Sequence, residues 1–111
     1  MRSYQIDELT QEQMDTINAR FAAKGFGCSL PNLFQIPLPD NLMGPEQIDH
    51  ATSCGPFYMA VETGKDWLRL EFLVRAREIL RCSCVAYATK EQRDFMMEYI
   101  DTTLKEWDIP V

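Results

Sequence analysis

The chain has 111 residues, 46% of them hydrophobic and 25% charged, enough for one globular domain that buries about 65% of its unfolded surface. Its formal net charge of −6 lacks the basic footprint that non-specific nucleic-acid binding needs. No apolar run approaches the ~20 residues that span a bilayer, and the opening residues MRSYQIDELT carry no apolar signal region, so the expectation is a cytoplasmic protein with reduced thiols and neither nucleic acid nor membrane as partner.

The first helix is expected over residues 10–24. Thr10 is placed as N-cap, Gln13 as its capping-box partner, and Leu9 with Met14 at the spacing of a hydrophobic staple. Met14, Ile17 and Phe21 form its apolar stripe. Gly25 follows as the left-handed residue that ends the helix, with Phe26 placed to fold back on it.

Residues 26–56 hold five of the six prolines and show little periodicity. Within them LFQIPLP alternates Phe34, Ile36 and Leu38, as an edge strand does where proline is tolerated. GPEQIDHA suits one short helix with Pro45 at its first position.

Three strand-like runs follow: 57–62, 67–75 and 79–88. A two-residue type II′ turn at Gly64-Lys65 sets Thr63 opposite Asp66, then Val61 opposite Leu68, Met59 opposite Leu70, and Phe57 opposite Phe72. Pairing Val74 with Leu80 completes three inward rows: Phe57–Phe72–Cys82, Met59–Leu70–Cys84 and Val61–Leu68–Ala86. In that register Cys82 and Cys84 are small packing residues beneath a helix, the ordinary fate of free cysteine. The last helix is expected over 90–107, with Thr89 as N-cap and Gln92 in a second capping box. Phe95, Met96, Tyr99, Ile100, Leu104 and Trp107 make its broad apolar face, and Asp101 with Lys105 an i, i+4 pair.

The expected fold is therefore α+β: helix, proline-rich crossing segment, an antiparallel meander of three strands with a fourth near residue 35, and a second helix on the same face of the sheet. No phosphate loop or serine elbow is present, and His50 with Cys54 lacks a third residue to orient it. Hence neither catalytic residue nor cofactor is assigned, and the chain reads as non-enzymatic.

Two functional readings remain. The outer sheet face is too rich in aromatic and arginine side chains for a merely solvated surface: Tyr58 on the first strand, Trp67, Arg69, Leu73 and Arg75 on the second, Arg81, Val85 and Tyr87 on the third. It points to an interaction or adaptor protein that self-associates or binds another protein. The alternative is a thiol- or metal-dependent protein. Cys82 and Cys84 lack the C-x2-C spacing of a zinc knuckle, yet two neighbouring thiolates hold a metal if the proline-rich segment brings Cys54 or His50 to them.

Overall fold

A computed structural model describes residues 2–111, an α+β fold in the order β1 (Ser3–Ile6), α1 (Gln11–Ala23), β2 (Leu33–Pro37), α2 (Pro45–His50), β3 (Phe57–Thr63), β4 (Leu68–Ala76), β5 (Ala86–Tyr87) and α3 (Lys90–Glu106). The strands form one antiparallel sheet, β1-β4-β3-β2, with β5 also on β4. No helix among the described residues is long and apolar enough to cross a membrane.

Local signals place both long helices. Thr10 and Gln13 form a complete capping box at α1, Thr89 and Gln92 another at α3. At the end of α1, Gly25 adopts φ 82°, its N–H donates to Ala22 O, and the N–H of Phe26 donates to Phe21 O at 3.2 Å. That is the double bond of a Schellman end, and it brings the Phe26 ring to 6.2 Å from Phe21. The two staple residues, Leu9 and Met14, are both buried.

One core joins Met14, Ile17 and Phe21 of α1, Met96, Ile100 and Leu104 of α3, and the strand residues Phe34, Ile36, Phe57, Met59, Val61, Leu68, Leu70 and Val74. These strand positions alternate along each strand, so the period of two that the sequence carries is the period the fold buries. On β3, Thr63 is the polar member of that face, and its hydroxyl donates to Asn18 Oδ1 of α1 at 2.8 Å.

The proline-rich segment is more ordered than expected. Its edge strand β2 pairs with β3 from Leu33↔Glu62 to Pro37↔Tyr58, and α2 begins at Pro45. The buried capping glutamine of α3 fastens α2 in place. Gln92 accepts from Thr89 N–H through Oε1, and its Nε2 donates to Leu42 O at 2.8 Å and to Gln47 Oε1 at 3.1 Å. Gln47 in turn accepts from Gly44 N–H at 2.8 Å. Each glutamine closes its own helix start and the two hold each other.

The register of the central hairpin differs from expectation by two residues near the turn and by four beyond the irregularity. Thr63 faces Leu68, Val61 faces Leu70, and after an irregularity between Met59 and Val61, Met59 faces Val74 and Phe57 faces Ala76. A type II′ turn requires positive φ at Gly64, and Gly25 is the only glycine with positive φ among the described residues. Trp67 lies in the connection, outside β4, with its indole across Gly64, where a Cβ would meet it at 2.1 Å. Both shifts are even and preserve which face each side chain points to, so the inward residues are unchanged.

The strand expected over 79–88 shrinks to Ala86–Tyr87, paired with Val74 and Leu73. Its place is taken by β1, unforeseen in the sequence, which pairs with β4 from Ser3↔Glu71 to Ile6↔Leu68. Since β3 lines the other edge of β4, β1 and β5 lie end to end on one edge. The N–H of Phe72 donates to Arg2 O, and Phe72 O accepts from Ala88 N–H. The three inward rows ending in Cys82, Cys84 and Ala86 therefore do not exist.

In α3, Asp101 takes a partner other than Lys105: Tyr4 Oη of β1 donates to its Oδ1 at 2.6 Å. Partial burial, then the bond to Asp101 and its charge, push the Tyr4 phenol from 10.0 up to about 12. A pKa raised on folding stabilises fully below the unfolded value and is lost as pH climbs through the folded one. A tyrosine titration should accordingly show one phenol ionising near pH 12, and Tyr4→Phe should remove it while lowering stability at neutral pH by about 1 kcal/mol. Four phenols titrating together at their ordinary value would contradict the Tyr4–Asp101 contact.

Candidate metal centre

The residues before β3 and after β4 meet at the open end of the hairpin. Pro56 O accepts from Arg77 N–H at 2.9 Å and Cys54 O from Glu78 N–H at 3.0 Å, which carries the pairing past the last strand residues. Upstream, the end of α2 winds through a further turn: Cys54 N–H donates to His50 O at 2.8 Å and Gly55 N–H to Ala51 O at 3.1 Å. His50 and Cys54 are thus i and i+4 on one side of a helical turn. Downstream, the chain turns back over itself, Val85 N–H donating to Cys82 O at 3.0 Å, so Cys82 and Cys84 present their sulfurs from one tight loop. The Ser83 hydroxyl between them donates to Glu46 in the first turn of α2.

Four soft donors converge there. One ligand atom each of His50, Cys54, Cys82 and Cys84 lies within 4.8 Å of all the others. His50 Nδ1 stands 3.1 Å from Cys82 Sγ and 3.8 Å from Cys54 Sγ, and the sulfurs of Cys54 and Cys82 are 3.8 Å apart. In a tetrahedron with Zn–S near ~2.3 Å, sulfur atoms sit roughly 3.8 Å from one another and a ring nitrogen only slightly nearer. The Cys54–Cys82 separation is that of two zinc-bound sulfurs, and the donor set fits a zinc ion in number and chemistry. With Nδ1 as ligand atom the imidazole is neutral and carries its proton on Nε2.

Cys54 and Cys84 are buried, at 4% and 1% exposure, whereas His50 and Cys82 are half-buried. The backbone N–H of Cys84, followed by the neighbouring thiols and His50, lowers the Cys82 thiol to about 6. Burial, followed by the bonds to Cys82 and Cys54, raises Cys84 to about 12. Of these two thiols, Cys82 is therefore the one that takes negative charge more readily. All four cysteines are free thiols. Cys28 stands apart, its sulfur against the carbonyl oxygens of Leu30 and Leu33.

The sequence-derived interface residues are divided. Tyr58, Arg69, Leu73 and Arg75 do line the outer sheet face, where Arg69 pairs with Glu62 at 2.8 Å and Arg75 grips Glu71 through Nε and Nη2 at 2.7 and 3.2 Å. Trp67 lies at the hairpin turn beneath the Arg69 guanidinium, 4.7 Å from the ring centroid. Tyr87 carries Arg2 over its ring at 4.3 Å. Arg81 and Val85 fall outside the sheet, in the loop that carries Cys82 and Cys84, because the third strand is only two residues long. The sequence alone gives Glu46, Ser83 and Gly55 no part in a metal site.

Fold and site together describe an α+β protein with a Cys3His cluster at the end of a β-hairpin. Compared with known proteins, the chain matches no family model, no curated protein and no solved structure.

Gly55 has a steric duty here: a Cβ on it would stand 2.6 Å from Ala51 O and force apart the turn that aims Cys54. Gly55→Ala should lower stability by about 1–3 kcal/mol and weaken metal binding too, although the residue offers no ligand. Unchanged denaturation midpoint and metal affinity would contradict this.

Proposed function

We propose that the chain is a non-catalytic protein that holds one zinc ion through His50 Nδ1 and the thiolates of Cys54, Cys82 and Cys84. The observation that carries this reading is the convergence of four soft donors within 4.8 Å from two separate segments. A tetrahedral set of sulfur and imidazole favours zinc over magnesium, calcium or manganese, which prefer oxygen. Four protein ligands leave no open position for substrate, so the ion's work is structural. It ties α2 to the loop 77–85, which has no strand ladder beyond Glu78 and few buried side chains of its own.

Elemental analysis of protein purified without chelator should find one zinc per chain. Cys84→Ser should weaken binding by more than the roughly 10–100-fold that loss of an outer-shell partner costs, and Cys28→Ser should leave it intact. Chelation should accelerate tryptic cleavage after Arg77 and Arg81, exposed residues of the tied loop. Protein without zinc, with a cleavage rate indifferent to chelator, would overturn the proposal.

A second reading concerns the outer sheet face. Residues 26–56 join the sheet at its edge through β2, and both long helices bury their side chains against the other face. Tyr58, Leu73 and the Trp67–Arg69 stack thus remain half-exposed, and the face also holds a depression of about 370 Å3 lined by Ser3, Leu33, Ala60, Glu62, Arg69 and Glu71. With its arginines already paired to glutamates, this face suits a protein surface of mixed polarity, a second copy of the chain included. Light scattering should then give a dimer mass that Trp67→Ala shifts toward monomer; a monomer at every concentration would exclude self-association.

A further inference from the structure

We infer that the Cys3His centre is a peroxide-responsive latch in which Cys82 is the point of attack and Cys54 the resolving thiol, so that oxidation expels the metal. This rests on the zinc reading above and concerns how the same site is regulated.

The three sulfurs differ in access and in partners. Cys54 and Cys84 lie at 4% and 1% exposure, and Cys82 alone of the cluster's thiols reaches solvent. A small hydroperoxide therefore meets Cys82 first, as site-selective thiol oxidation requires. The sulfur poised to resolve the product is that of Cys54, 3.8 Å away. Cys54 and Cys82 belong to different segments, held side by side by the bond from Glu78 N–H to Cys54 O. A bridge between them closes the existing hairpin end, whereas a Cys82–Cys84 bridge closes a small ring within one tight loop.

The chemistry balances with the hydroperoxide as the only added reagent. The Cys82 thiolate attacks the terminal oxygen of the peroxide, the O–O bond breaks, and hydroxide (or alkoxide) leaves while Cys82 becomes a sulfenic acid. The Cys54 thiolate then attacks that sulfur, the S–O bond breaks, a second hydroxide leaves, and the disulfide forms. Two thiolates have lost two electrons, the peroxide has gained them, and the two hydroxides are neutralised by two protons from the buffer. Zinc is left with Cys84 and His50, two ligands in place of four, and is released; the Cys54–Cys82 disulfide then replaces the metal as the tie between loop 77–85 and the end of α2. A dithiol reductant reverses the change by taking up the oxidation itself.

The decisive experiment uses the zinc-loaded Cys28→Ser chain, in which every remaining cysteine belongs to the cluster. Its zinc content is measured first, because protein without zinc refutes the metal reading itself. Hydrogen peroxide is then added with a zinc-sensitive dye, followed by tandem mass spectrometry of tryptic peptides. The expected result is release of one zinc per chain, a Cys54–Cys82 link as the main product, and recovery of zinc binding after dithiothreitol. Zinc retained while Cys82 proceeds to sulfinic acid would overturn the latch and leave the metal centre standing, as would a dominant Cys82–Cys84 link.

Discussion

Antiparallel pairing of β3 with β4 is the constraint on which the rest of the molecule depends. A hairpin brings its two outer ends together whatever their sequence separation, and here the ends are Cys54 and the loop that follows Ala76. The ladder runs on past the last strand residues through Arg77 and Glu78, so the approach of Cys54 to Cys82 is fixed by backbone hydrogen bonds. His50 enters because α2 winds on to Cys54 with a helical period, and Cys84 enters because a tight turn brings it beside Cys82. Remove the hairpin and the four donors lie on segments with no other reason to meet.

Around that frame, polar side chains do two tasks each. Gln92 caps α3 and, through Gln47, fixes the start of α2, so the helix that carries His50 is anchored at both ends. Ser83 separates two cysteines of the cluster and also binds Glu46 of the same helix. At the far edge, Tyr4 both lines the core and reaches Asp101, which seats the short strand β1 against α3. No buried side-chain nitrogen or oxygen among the described residues lacks a partner, as polar groups taken from water demand.

What could be read from the sequence follows the range of the interactions involved. Both capping boxes, the Schellman end at Gly25, the Pro45 helix and the inward parity of β3 and β4 are local properties, and the structure has them where residue patterns put them. Register and strand order are not local. The turn at Gly64 is governed by where the Trp67 indole packs, and the third strand fails because SYQI, a four-residue alternation too short to stand out, occupies the edge of β4. The same failure hid the site. With Cys82 and Cys84 placed in a ladder they became packing residues; released from it they turn toward His50 and Cys54, which the sequence offered as ligands only on condition that the proline-rich segment carried them across.

X-ray absorption at the metal edge of protein purified without chelator probes the Cys3His centre most directly. Three sulfur scatterers at about 2.3 Å and one imidazole nitrogen near 2.0–2.1 Å are predicted around zinc. A first shell of oxygen and nitrogen atoms, or one with fewer than three sulfurs, would contradict a centre built from His50, Cys54, Cys82 and Cys84.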